Sequence, residues 1–182
     1  MNIEPTFIND LVVLTLDVFE DERGYFFEGY NKNKFSALGV DIDFVQDNQS
    51  FSQKGTLRGL HYQNPPFAQT KLVRVLQGEI MDVAVDLRKD SPTYGKHFGI
   101  KLTAENKKQL LVPQGFAHGF SVLSATAVVL YKCDQFYNKQ SEGGIRYDDA
   151  TLNIDWGMDL KEAIVSEKDL VLPSFADCNS AF

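Results

Sequence analysis

The side chains best suited to moving protons cluster in a few short segments. Residues 55–63 set Arg58 between two glycines and His61 just beyond the second; an imidazole titrates near neutrality and can therefore serve as a general base. Taken alone, such a histidine is more often a structural one bonded to backbone. Residues 113–120 present His118 between a proline and glycines, where the backbone has to bend. On its own this is equally a packed turn. Residues 44–50 alternate so that Gln46 and Asn48 share one face as hydrogen-bonding groups, although an ordinary polar strand face reads the same way.

A metal reading is weaker. Many small β-barrels hold iron or zinc through two histidines one residue apart, a carboxylate and a later histidine, but here the second position is Gln63. His61 and His118 with no third clear ligand make a poor set for zinc or non-haem iron, so no metal and no other cofactor is expected.

The elements that must position these groups are mostly strands. Short apolar runs at 11–19, 24–30, 44–50, 57–63, 97–103, 109–112, 119–123 and 127–133 are separated by turn chemistry. The runs 71–76 and 79–87 flank Gln77-Gly78 and read as a hairpin. A short helix is expected over 32–38, ended by Gly39, and the tail carries helical spacing over 159–165 and 166–170. Many short strands with frequent turns imply a mainly β jelly-roll barrel, with short helices mainly C-terminal, as a single domain over 1–182. Strand parity then puts Lys71 on the face of Val73 and Val75, Tyr131 on that of Ala127, Val129 and Cys133, and His61 opposite Leu60 and Tyr62.

Composition excludes some classes. A formal charge of −7 argues against nucleic-acid binding, so any anionic ligand needs local cations. Cys133 and Cys178 show no paired framework and read as free thiols. The start of the chain lacks a basic region followed by an apolar run, and no stretch has the length to span a bilayer. A soluble cytoplasmic protein is expected.

Taken together the motifs are far more specific. Residues 21–24 (DERG), 44–48 (FVQDN), 58–63 (RGLHYQ), 71–75 (KLVRV), 82–88 (DVAVDLR), 115–120 (GFAHGF) and 130–132 (LYK), in this order over nearly the whole chain, resemble the deoxythymidine-diphosphate-4-dehydrorhamnose 3,5-epimerase family. The resemblance implies a cupin-like barrel acting without metal on a dTDP-4-keto-6-deoxyhexose. It implies His61 as base, Tyr131 as acid, Lys71 near the enolate oxygen, and Asp169 orienting His61, with Asp82 as the alternative orienting carboxylate. Arg23, Arg58 and Lys168 are implied contacts to the diphosphate, where guanidinium forks match its oxygens. Glu28, Gln46, Asn48, His118 and Glu142 match substrate-contacting positions, and Phe26 and Tyr137 are candidates to stack on thymine. It further implies a homodimer whose N-terminal strands exchange, so that Arg23 serves the neighbour's site. Three rivals remain at this point: a single-carbon epimerase, a metal-dependent relative on the same barrel, and a non-catalytic sugar-nucleotide binder.

Overall fold

The computed structural model describes residues 1–182. At the N-terminus lie β1 (Asn2–Pro5), β2 (Val12–Thr15), a small hairpin of β3 (Phe19–Asp21) and β4 (Gly24–Phe26), and α1 (Lys32–Ala37). Eight strands follow: β5 (Gln46–Gln53), β6 (Thr56–Gln63), β7 (Lys71–Gln77), β8 (Glu79–Asp86), β9 (His97–Thr103), β10 (Gln109–Val112), β11 (Phe116–Val122) and β12 (Thr126–Cys133). The tail contributes β13 (Glu142–Gly144), a 3-10 turn (Leu160–Glu162), β14 (Ile164–Val165) and α2 (Glu167–Leu170).

Two sheets face each other, in the orders β1-β2-β10-β7-β12-β5 and β13-β6-β11-β8-β9. This is the expected jelly roll. Between them Val73, Val75, Ala127 and Val129 of the first sheet meet Ile80, Ala84, Phe116 and Phe120 of the second, each buried valine, isoleucine or phenylalanine contributing on the order of 1.5–3 kcal/mol. The outer face of the second sheet is apolar too. Leu57, Leu60, Tyr62, Val83 and Val85 pack there against Ile145, Leu152 and Trp156 of the C-terminal segment. Burial on both faces explains why β8 reads as a nearly unbroken apolar run.

Four expectations change. Residues 71–76 and 79–87 do form strands, but β7 and β8 lie in different sheets, so Gly78 turns a corner of the barrel and closes no hairpin. A Cβ at Gly78, whose φ is +79°, would fall 2.1 Å from the Thr126 carbonyl oxygen, which makes this corner a glycine position. In the tail, Ile164 and Val165 pair in parallel with β6, leaving helix only at 160–162 and 167–170. Two adjacent β-branched residues beside an open strand edge favour pairing over helix. The run 24–30 is strand only to Phe26, and β5 starts at Gln46 because Phe44 turns to pack on Tyr30. The helix near 32–38 forms with Asn31 as N-cap and Phe35 as its buried anchor.

Candidate active site

The site begins with an irregularity in β6. Opposite β11, Arg58 pairs with Phe120 and His61 with His118, so three steps along one strand match two along the other. β6 thus carries a bulge. Gly59 absorbs it at φ +126°, where a Cβ would lie 2.6 Å from the Cα of Gly119. The extra residue resets the alternation, so Arg58 and His61, which strict parity would send to opposite faces, both border one interior cavity.

The tail then fixes the imidazole. Ser166 caps α2 by accepting from the Asp169 backbone N–H at 3.2 Å, and β14 pins this segment against β6. Asp169 Oδ1 lies 2.7 Å from His61 Nε2, and Oδ2 accepts the Gly59 backbone N–H at 3.3 Å. Burial acts to raise the Asp169 carboxyl pKa, but the bonds from His61 and Gly59 outweigh it and hold the group below the usual carboxylate range. With Nε2 engaged, Nδ1 is the ring nitrogen left for a ligand.

The opposite wall belongs to the first sheet. Lys71 on β7 and Tyr131 on β12 point inward as parity predicts, with Tyr131 paired to Val73 and Cys133 to Lys71. The Lys71 ammonium sits 6.0 Å from the centre of the Tyr131 ring. Burial pushes the Lys71 pKa down and the Tyr131 phenol up, so the phenol is neutral at working pH. Cys133 behind them is buried, which raises its thiol pKa to about 11 and keeps it protonated.

His61, Lys71, Tyr131, Arg58, His118, Lys168 and Asp169 border a single cavity of about 600 Å³. Asp82, the alternative partner for His61, instead contacts His118 Nε2 at 2.8 Å. No group of three or more His, Cys, Asp or Glu side chains converges as a metal-ligand set. Beyond the cavity lining, Lys168 pairs with Glu142, and the Tyr137 hydroxyl donates to the same carboxylate at 3.0 Å. Burial raises the Glu142 pKa, yet those two partners prevail and hold it below its ordinary value. Gln46 accepts the Tyr137 backbone N–H at 3.1 Å and donates to Asn48 at 3.1 Å, tying β5 to this rim.

Three expected contacts are not brought here within one chain. Arg23 lies at the tip of the β3–β4 hairpin paired with Asp21, Phe26 is 66% exposed, and Glu28 pairs with Lys34. Ser50 and Ser52, conversely, belong to the site although no motif marks them in the sequence. Ser50 borders the cavity with its hydroxyl unpartnered, and Ser52 accepts from Arg58 Nε at 3.1 Å. Extending the Gln46–Asn48 alternation along β5 identifies both.

The fold and the cavity place the chain among cupin-like jelly-roll isomerases. A family model described as dTDP-4-dehydrorhamnose 3,5-epimerase matches residues 5–177, and the chain belongs to that family. It is 50% identical over 180 residues to the dTDP-4-dehydrorhamnose 3,5-epimerase of Shigella flexneri, covering 98% of each chain. The crystal structure of the enzyme of that name from Elizabethkingia anophelis superimposes with a TM-score of 0.94 at 53% identity, over 97% of both chains. The 3,5-epimerase of Legionella pneumophila, solved in complex with dTDP-4-keto-L-rhamnose, gives a TM-score of 0.91 at 47% identity, covering 95% of this chain and 92% of that one.

Proposed function

We propose that the chain converts dTDP-4-dehydro-6-deoxy-D-glucose to dTDP-4-dehydro-L-rhamnose by epimerising C3 and C5 through enolates. The observation that carries this reading is the two-walled cavity: an imidazole held by a carboxylate on one sheet, and an ammonium and a phenol on the other. Inverting a carbon beside a ketone requires removing its proton from one face and returning one to the other. His61 Nδ1 takes the proton; the C–H electrons form the enolate, whose oxygen lies near Lys71; Tyr131 donates its hydroxyl proton to the opposite face. The resulting imidazolium and phenolate are reset by exchange with water. Asp169 orients the imidazole and stabilises its charged form, and Lys71 faces developing negative charge where desolvation strengthens the attraction.

Arg58 and Lys168 supply cations for the diphosphate. Gln46, Asn48, His118 and Glu142 contact the sugar nucleotide, with Tyr137 stacked on thymine. Arg23, Phe26 and Glu28 are assigned to the cavity of a second copy in a homodimer. That assignment is supported by the β3–β4 hairpin, in which every residue of both strands is exposed. One domain spans 1–182, and the two unpaired thiols fit a reducing cytoplasm. No helix is long and apolar enough to cross a membrane.

Turnover of the 4-keto-6-deoxyglucose nucleotide in deuterated water tests the reading. Deuterium at both C3 and C5 of the product is expected; label at only one carbon would replace it with single-carbon epimerisation.

A further inference from the structure

His118 and His61 are cross-strand neighbours, paired between β11 and β6, and both border the same cavity. Each imidazole meets a carboxylate through Nε2, Asp169 at 2.7 Å for His61 and Asp82 at 2.8 Å for His118. The construction is repeated from unrelated parts of the chain. Asp169 comes from the tail helix, whereas Asp82 lies on the barrel-facing side of β8 between Ile80 and Ala84.

Asp82 is completely buried, and its second oxygen has no hydrogen-bond partner. Stability alone does not call for a carboxylate among those neighbours. A buried ion pair seldom out-stabilises a well-packed apolar replacement, and an unpartnered buried oxygen makes the balance worse.

We propose that Asp82 is a positioning residue for the reaction, holding His118 by Nε2 so that its other ring nitrogen meets a polar group of the bound sugar beside the base. It acts through His118 and touches no substrate itself. Without a partner the ring can rotate and exchange tautomers; a carboxylate on one nitrogen fixes both choices.

The inference rests on the proposed reaction in this cavity. Asp82→Asn, which keeps volume and removes charge, is expected to lower kcat by about 10- to 100-fold while KM stays within about 2-fold. In a His118→Asn background the same substitution should change kcat by less than about 2-fold, because the group it acts through is gone. Unchanged kcat for Asp82→Asn, or an equal loss in both backgrounds, overturns the proposal. A merely structural carboxylate would instead lower thermal stability equally in both backgrounds and leave turnover per folded molecule intact, which also overturns it.

Should Asp82→Asn fail to fold, nitrogen spectra of the three histidine rings of the unaltered protein decide the matter. Addition of a thymidine-diphosphate hexose should shift the ring nitrogens of His118, and an unmoved His118 signal contradicts the proposal. His61→Ala, assayed in parallel, separates the two failures. Activity surviving His61→Ala removes the proposed reaction; loss there with full activity in Asp82→Asn removes only the role of Asp82.

Discussion

On the β6 wall the reactive imidazole is held by bonds: Asp169 grips His61, Gly59 N–H grips Asp169, and Ser166 caps the helix that carries it. On the β7–β12 wall Lys71 and Tyr131 are held by packing among Val73, Val129 and their neighbours, with neither side chain in an ion pair. The difference follows from what each wall does. A base must be oriented before the substrate arrives, whereas an ammonium and a phenol that meet developing charge are most effective when no protein group already occupies them. The unpaired wall carries a desolvation cost, visible as the lowered Lys71 pKa.

Breaking the bonded wall at its centre should have the largest effect. His61→Ala is expected to abolish turnover and solvent exchange, a loss of at least about 10²- to 10⁴-fold in kcat, checked by deuterium uptake into substrate and product. Next comes the cation. Lys71→Met should lower kcat by about 10²- to 10³-fold, as for removal of an oxyanion-stabilising donor. Thermal stability should stay equal or rise, because a buried unpaired charge is replaced by an apolar chain of similar length. The sign agrees with the pKa direction. A lysine whose folded pKa is depressed binds fewer protons folded than unfolded, so its cost is relieved as pH rises from the folded value to the higher unfolded one.

Asp169→Asn should cost less, about 10- to 100-fold in kcat with KM little changed, since the imidazole remains but loses its anchor. It also sharpens the contrast through pH. The folded Asp169 pKa is depressed, so its stabilising contribution is complete above the unfolded value of about 3.9 and is lost as pH falls through the lower folded value. Thermal melts should therefore show a lower Tm than the unaltered protein at neutral pH and a closing gap below about pH 4. The smallest change expected in the chemistry is that of Arg23→Ala. This should raise KM and leave kcat nearly untouched, since Arg23 is assigned to ligand binding and not to proton transfer.

How much of this was readable in advance depends on range. Period-two alternation was enough to turn Lys71, Val73 and Val75 inward with Tyr131, Val129 and Ala127, because β12 pairs with β5 without a break and the register shift of the β7–β12 pair falls beyond Val75, at Leu76. The same rule fails across Gly59, since a bulge depends on the partner strand and leaves only a glycine as its trace. The Gln77-Gly78 turn carried the chemistry of a reversal, but nothing local tells whether the next strand pairs with the last or crosses to the facing sheet. Asp169 could be matched to His61 only through the family resemblance, 108 residues apart in the chain. The His118–Asp82 contact spans 36 residues and depends on β8 and β11 being neighbours.

The claim that the two walls serve opposite faces of one sugar ring is tested most directly with Tyr131→Phe in deuterated water. The account predicts that recovered substrate gains deuterium with its configuration retained while product formation falls steeply, because His61 still removes and returns the proton on its own face. Normal inversion by Tyr131→Phe, or inversion and exchange lost together with no label in the recovered substrate, would contradict it.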